Sequence, residues 1–494
     1  MRLTEVMNGI TYTGSLSDCE ITDLTSDSRK VSDGVVFICI KGVNSDGHNY
    51  AQAAAENGAA AIICERDVGL ANQLIVDSTR EAFAAMCENF MGHPLQRLKL
   101  IGVTGTNGKT STTFIAKQVL ERSGHKCGLI GTIQNMIGDE VLHTEFTTPD
   151  TYELHTLFAK MADAGCEFAV MEVSSHALEQ GRVAGLHFAA ACFTNLSEDH
   201  LDFHGTMDAY FGAKAKLFAM TDCAIINIDD EWGNKLRIGD EVELITYGID
   251  NDLADIVARN VEFFADGVGF TLFAKGKEYR VKVPTPGRFS AYNALSAAGC
   301  ALAVGASPDA VAEALNRSTG IKGRAEVFPT GRDFTIILDY AHTPDGVENI
   351  LSSMRAVSNG RLVSLLGCGG DRDPYKRPLM GEAAARLSDF VIVTSDNPRG
   401  EDPDAIFRDI LRGFTGKTPV TVIPSRARAI RAAISSSPPD GTVLLLGKGH
   451  EKYEITSRGR QPFDEEAVAR DALAAYGSPG PVDGAEERES ESDG

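Results

Sequence analysis

The chain has 494 residues, 43% of them hydrophobic and 23% charged, and a net charge of −22. At about 150 residues per domain this length corresponds to three domains, each large enough to bury its own core. The acidic balance excludes nucleic acid or an anionic membrane as the main partner, and the ten cysteines, scattered without a C-x-x-C pair, read as buried reduced thiols.

The opening residues 1–14 lack the basic and apolar regions of a secretory signal, and no apolar run reaches the length of a membrane span, so the expected location is the cytoplasm. A first segment, 1–95, closes at the breaker His93-Pro94. Apolar runs at 35–40 and 60–64 predict strands, and the alanine-rich stretch 50–57 predicts a helix between them: a small α/β unit.

The second segment, 96–329, opens with a predicted strand at 98–103, a glycine-rich loop and a helix over 110–122. Further strands are expected at 168–173, 190–196 and 224–228, separated by helices over 151–164 and 207–220, with a helical stretch at 289–304. Strands alternating with helices predict a parallel sheet covered on both faces. In the third segment, 330–476, strands at 334–338, 361–366, 390–394, 420–423 and 442–446 alternate with helices in the same way. This predicts a second doubly wound, Rossmann-like sheet that binds ligands at its strand ends. The fold class is therefore α/β throughout. Residues 477–494, with six acids and one arginine, cannot build a core and read as a disordered, solvating tail.

The most informative motif is Gly102-Val-Thr-Gly-Thr-Asn-Gly-Lys-Thr110, between an apolar strand and a helix. Glycines let backbone N–H groups cradle phosphate oxygens, Lys109 can reach the terminal phosphates, and the Thr110 hydroxyl can hold Mg²⁺. The spacing departs from the common phosphate loop, whose first glycine would fall on position 103, which is Val103. Glu172, in Met171-Glu-Val-Ser-Ser-His176, ends a strand beside this loop and is placed to bind Mg²⁺. Next come His200, in Thr194-Asn-Leu-Ser-Glu-Asp-His-Leu-Asp202, and two lysines in Tyr210-Phe-Gly-Ala-Lys-Ala-Lys-Leu-Phe218. Alone, such a histidine reads as a loop residue and such lysines as a solvated helix face.

Together these runs resemble the signatures of the Mur ligases and their folylpolyglutamate synthase relatives. The resemblance implies an ATP-dependent ligase in which Gly105, Thr106, Asn107, Gly108, Lys109, Thr110 and Ser111 bind ATP. It implies Mg²⁺ on Thr110, Glu172, His200 and Lys214, with Lys214 carbamylated by CO₂ to N6-carboxylysine; Lys216 is the competing candidate. Carbamylation turns a cation into a carboxylate-like ligand. Matches at Arg288-Phe-Ser-Ala-Tyr-Asn293, Gly323-Arg-Ala-Glu326 and Asp339-Tyr-Ala-His-Thr-Pro344 imply ATP contacts from Asn293, Arg324 and Asp339. Ser290 stands where many members carry asparagine.

Within the family, the loops Thr25-Ser-Asp-Ser-Arg-Lys-Val31 and Lys41-Gly-Val-Asn-Ser-Asp-Gly47 resemble those that bind a uridine-diphosphate precursor in the branch adding the third amino acid. The resemblance assigns Ser26, Ser28, Val43, Asn44 and Ser45 to that nucleotide. It assigns Thr147, Thr148, Ser174, Gln180 and Arg182 to the muramoyl peptide and its diphosphate. Phe146 departs from an asparagine found in some members.

In the third segment, Gly369-Gly-Asp-Arg-Asp-Pro374, Ser395-Asp-Asn-Pro-Arg399 and Gly447-Lys-Gly-His-Glu451 each follow a strand. By resemblance Arg372, Asp396, Asn397, Pro398, Arg399, Gly447 and Glu451 bind meso-diaminopimelate. A guanidinium suits the carboxylate that distinguishes this amino acid from lysine. L-Lysine as the incoming amino acid, and a non-catalytic nucleotide-binding homologue, remain the alternatives. The expected protein is a monomer acting on small molecules, in which the third segment closes on the second to bring the reacting groups together.

Overall fold

The structure is a computed structural model that describes residues 1–15, 17–42 and 45–476. Val43, Asn44 and the acidic tail 477–494 lie outside the described residues. Contacts divide the chain into one unit spanning Met1–Ile321 and a second that begins at Lys322.

The first unit contains two sheets. The smaller has four parallel strands in the order Asp23–Thr25, Val35–Ile38, Ala61–Cys64 and Gln73–Ile75. Its two central strands, VVFI and AIIC, are buried at every position. That pattern is expected of parallel strands covered on both faces. The helix Thr79–Phe90 packs against this sheet and is capped by Ser78, whose hydroxyl accepts from Glu81 N.

The larger sheet has eleven strands. Its parallel centre runs Ile256–Phe264, Glu243–Gly248, Cys223–Asn227, Phe188–Phe193, Lys99–Thr104, Phe168–Glu172 and Cys127–Ile130. The helices Lys109–Arg122 and Arg288–Ala303 share a hydrophobic cluster on one face, and Thr151–Asp163 packs on the other. Alanines along Arg288–Ala303 let it approach closely: a Cβ on Gly299 would lie 2.6 Å from Ile225 Cγ2. Antiparallel strands extend both edges of this sheet, through Gly267–Ala274 and Lys277–Val283 at one and Asn135–Ile137 and Glu140–Leu142 at the other. Lys277–Val283 and Glu140–Leu142 carry charged, exposed positions and no continuous apolar run, whereas Gly267–Ala274 is apolar and mostly buried but is interrupted by glycines at 267 and 269.

The second unit is built on a six-stranded sheet ordered Glu326–Phe328, Thr335–Asp339, Thr442–Leu446, Leu362–Leu366, Phe390–Val393 and Val420–Val422. All neighbours are parallel except the first pair. Because Glu326–Phe328 pairs into this sheet, the unit starts at Lys322 rather than at the turn near residue 330. A hairpin of Tyr453–Thr456 and Gly459–Pro462 follows the last parallel strand. Among the described residues no helix is long and apolar enough to cross a membrane.

Candidate active site

The phosphate loop leaves the C-terminal end of Lys99–Thr104, and the helix Lys109–Arg122 begins directly after Gly108. Two of its glycines are required by geometry. At φ +148°, a Cβ on Gly105 would lie 1.9 Å from the Thr194 hydroxyl; at φ +86°, one on Gly108 would lie 2.5 Å from Asn293 Oδ1. The loop is therefore held from both sides. The 194–197 segment fastens it through Thr106 N to Asn195 O (2.9 Å), Asn107 N to Asn195 Oδ1 (2.9 Å) and Thr194 Oγ1 to Asn107 O (2.6 Å). Asn293, expected at the adenine, lies against the loop glycine. The Lys109 ammonium donates to Gly105 O and Thr106 O at 2.9 and 2.8 Å, lying across the mouth of its own loop. Thr110 is buried and Ser111 half-buried in the first helical turn.

Glu172 ends the neighbouring strand, in register with Val103 just before the loop. Its carboxylate is fully buried and accepts from Thr132 N (2.8 Å) and Thr132 Oγ1 (3.0 Å). Two acceptors leave lone pairs for a cation. Thr147 Oγ1 lies 3.0 Å from Thr132 Oγ1. Thr148 Oγ1 donates to Glu172 O at 2.9 Å and accepts from Ser174 N at 3.0 Å. This ties the glutamate to two expected substrate residues.

His200 sits in a left-handed conformation (φ 55°) at the start of the short helix Leu201–His204. Burial pushes its imidazole down to about 4, aided by His176, Lys109 and Lys214 and opposed by Asp199. A neutral ring is the form that can ligate a metal. The side chain of Lys214 is buried, its ammonium donates to Gly105 O at 2.7 Å, and it lies 4.4 Å from the Tyr210 ring centroid. Burial, together with Lys109, holds this amine well below its ordinary range, against the pull of Asp199. Lys216 instead forms an exposed pair with Glu179 at 2.6 Å. Of the two lysines, Lys214 is the one that lies against the loop.

These donors fit Mg²⁺: a hydroxyl, a buried carboxylate with spare lone pairs, a neutral imidazole and an amine that can become a carbamate. Mg²⁺ takes few protein ligands and completes its shell with water and phosphate.

A cavity of about 360 Å³ in the first unit is lined by Ser26, Ser45, Gln180 and Arg182 from the expected precursor set. It is also lined by Arg80 and Asp150, which motif reading missed. Ser28 lies in the turn Ser28–Lys30 and is not among the lining residues. Arg182 donates to Thr148 O (2.9 Å) and Gln180 Oε1 (3.0 Å), and its guanidinium lies 5.5 Å from the Phe146 ring centroid. Arg80 donates to Lys41 O at 2.9 Å. Burial lowers the affinity of both guanidiniums for their protons, and Arg182 repels Arg80. The two half-buried guanidiniums, with Glu65 acting on Arg80 and Asp150 on Arg182, keep donors that suit an anion. Arg80 could have been found as the one cation in the first turn of a capped helix, Ser78-Thr-Arg80.

In the second unit Asp339 accepts from Ala325 N (2.6 Å) and Ala341 N (2.7 Å), and burial raises its carboxyl while Arg324 opposes the rise. Arg324 stacks 4.7 Å from the Tyr340 ring centroid. The expected amino-acid residues cluster at adjacent strand ends. Asn397 Nδ2 donates to Glu451 Oε2 at 2.8 Å, and Gly447 is held at φ +110° against Asp396. Arg399 (φ 53°) donates through Nη1 to Gly370 O and Asn397 O at 2.9 and 3.2 Å. Pro398 O packs on Gly370, and Gly369 separates Arg399 from Arg372. Arg372, which donates to Asp371 O at 3.1 Å, is exposed.

A glycine-rich loop on a parallel strand, an acid at the next strand end and a buried lysine against the loop have the build of a nucleotide-phosphate site. Three family descriptions match the chain: "Mur ligase family, catalytic domain" over 20–91, "Mur ligase middle domain" over 103–301 and "Mur ligase, glutamate ligase domain" over 323–449. The chain belongs to the Mur ligase family and is an ATP-dependent ligase. It is 42% identical over 480 residues to the UDP-N-acetylmuramoyl-L-alanyl-D-glutamate–2,6-diaminopimelate ligase 1 of Clostridium acetobutylicum, covering 96% of this chain and 99% of that one. The corresponding ligase of Clostridioides difficile is 43% identical over 484 residues, covering 96% and 100%. A solved structure of a UDP-N-acetylmuramoyl-L-alanyl-D-glutamate–2,6-diaminopimelate ligase matches with a TM-score of 0.69 at 32% identity, over 96% of this chain and 99% of that chain.

Proposed function

We propose that the protein is a cytoplasmic, monomeric enzyme of peptidoglycan synthesis that joins meso-2,6-diaminopimelate to UDP-N-acetylmuramoyl-L-alanyl-D-glutamate with hydrolysis of ATP to ADP and phosphate. The observation that carries this reading is the grouping of Lys109, Glu172, His200 and Lys214 around one phosphate loop. The relatives' substrates supply the chemistry. The Arg80–Arg182 cavity takes the precursor's diphosphate, with Ser26 and Ser45 of its lining toward the nucleotide and Ser28 assigned to the nucleotide outside that lining.

The chemistry is two displacements. A glutamate carboxylate oxygen attacks the γ-phosphorus, the bond to the ADP oxygen breaks, and an acyl phosphate forms. The neutral amine of diaminopimelate then attacks the acyl carbon. The tetrahedral intermediate loses phosphate, and the nitrogen gives up its extra proton. The loop N–H groups and Lys109 hold the phosphates and offset the charge that builds on them. Thr110, Glu172, His200 and carbamylated Lys214 would hold Mg²⁺, which supplies charge neutralisation for the phosphoryl group. Arg324 and Asp339 are assigned to ATP, and Arg372, Asp396, Asn397, Arg399 and Glu451 to diaminopimelate.

The test is ADP formation with ATP, Mg²⁺ and the nucleotide dipeptide, each amino acid being added in turn. Diaminopimelate-dependent release supports the reading, and equal release with L-lysine or none with either defeats it. In the same assay Arg80→Ala should raise KM for the nucleotide dipeptide on the order of tenfold or more, with KM for the amino acid unchanged. An unchanged nucleotide KM would remove Arg80 from the precursor site.

A further inference from the structure

The second unit contains a buried charge to which neither the motifs nor the reaction scheme gives a role. The Lys448 side chain has no solvent exposure. Its ammonium lies 2.9 Å from Tyr453 O, 3.1 Å from Asn397 Oδ1, 3.3 Å from Asp396 Oδ1 and 3.8 Å from Glu451 Oε2. It therefore joins three segments: the loop after Phe390–Val393, the loop after Thr442–Leu446, and the hairpin strand Tyr453–Thr456. Three of its four partners are residues assigned above to the incoming amino acid.

We infer that Lys448 is a positioning residue of the amino-acid site: it orients Asn397 and balances Asp396 and Glu451 so that together they receive the ammonium group of the incoming amino acid. The inference rests on the amino-acid assignment of the proposed function.

Two features carry it. The first is the Asn397 amide. Lys448 Nζ and Ile455 N both donate to Oδ1, at 3.1 and 2.9 Å, so Nδ2 must face Glu451. An asparagine amide can turn end for end, and two donors on one end fix its direction. The second feature is charge. Asp396 Oδ1 is buried without a hydrogen bond among the described residues, and Lys448 is the cation beside it. The neighbouring Arg426 is bound to Glu465 at 2.7 Å. Asp396, Glu451 and Glu465 thus lie about Lys448 and Arg426, a carboxylate-rich group suited to an ammonium ligand. Burial already raises the Glu451 carboxyl, and Asp396 adds to the rise while Asn397 and Lys448 oppose it. Without Lys448 the Asp396 and Glu451 carboxylates would face each other with no cation beside Asp396, and their repulsion would disturb the Glu451 face presented to the amine.

Lys448 is enclosed and does not reach substrate, so its removal should act on one KM. Lys448→Gln keeps a donor for Asn397 Oδ1 and removes the charge; Lys448→Met removes both. Steady-state kinetics on each variant would vary ATP, nucleotide dipeptide and amino acid separately, beside a thermal melt. In Lys448→Gln, KM for the amino acid should rise on the order of 10- to 100-fold. KM for the other two substrates should stay within about twofold, with the melt little changed. Should Lys448→Met not fold, Lys448→Gln decides. An amino-acid KM within about twofold of the parent, or three KM values and the melt moving together, overturns the inference. The parent enzyme, run with diaminopimelate and with L-lysine, separates the two readings. Turnover of neither means that the function is wrong, whereas parent turnover with unchanged variants defeats only the role of Lys448.

Discussion

Lys214→Ala is expected to lower kcat on the order of a thousandfold or more, with ADP release at saturating substrates as the measurement. The reason begins with the lysine's surroundings. Its amine is enclosed, hydrogen-bonded to Gly105 O, and close enough to Lys109 to be repelled by it. As an ammonium it opposes the loop lysine and pushes away any metal. As a neutral amine it can add CO₂, and the carbamate that results attracts what the ammonium repelled. Alanine removes that anion and leaves a space beside the loop. A small carboxylic acid such as acetate or propionate should therefore restore part of the activity, because it can put an anion back where the carbamate stood. Lys216→Ala should stay within about twofold of the parent, since an exposed pair like that with Glu179 contributes little. A Lys214→Ala protein that melts like the parent and works at more than half its rate would end the carbamate assignment. So would a loss of activity that no small acid repairs while Lys216→Ala loses as much.

The sequence revealed the parts of this molecule that are buried on both faces. VVFI at Val35–Ile38 and AIIC at Ala61–Cys64 stand out because parallel central strands need no polar side. Asp23–Thr25 and Gln73–Ile75, three residues each at the edges of the same sheet, carry no such signal. Lys277–Val283 was hidden by its charged, exposed face and Gly267–Ala274 by the glycines that interrupt its buried apolar run, while the pairing of Glu326–Phe328 moves the start of the second unit ahead of residue 330. At the site, glycine spacing and strand-end acids pointed to the loop and to Glu172, because backbone sterics and metal chemistry constrain residue type. Bare composition did not separate Lys214 from Lys216; only the family's spacing from Tyr210 favoured Lys214. That difference is one of burial: one lysine faces Gly105 and the other faces solvent. Arg80 and Lys448 were missed for a related reason. Each acts through partners distant in sequence, Arg182 and Asn397, which only folding brings near.

Discrimination between diaminopimelate and L-lysine should amount to a factor on the order of 10³ or more in kcat/KM, and Arg399→Ala should erase most of it by lowering the diaminopimelate value. The two amino acids differ at one end only, where diaminopimelate carries a second carboxylate. Arg399 is held in a left-handed turn with Nη1 on the carbonyls of Gly370 and Asn397, so the plane of its guanidinium is set before any ligand arrives. Gly369 is part of the arrangement: a Cβ there would lie 2.7 Å from Arg399 Nη1. A preset fork gains two parallel hydrogen bonds from that carboxylate, whereas lysine brings the same ammonium without the carboxylate that would offset it. Arg399→Lys should therefore recover little, because an ammonium cannot reproduce the fork. The values for L-lysine should change far less in both variants, or improve as the repulsion is removed. If the parent enzyme uses the two amino acids equally, or if Arg399→Ala lowers both in the same proportion, the guanidinium does not read the second carboxylate. In that case the exposed Arg372, across Gly369, becomes the residue to replace next.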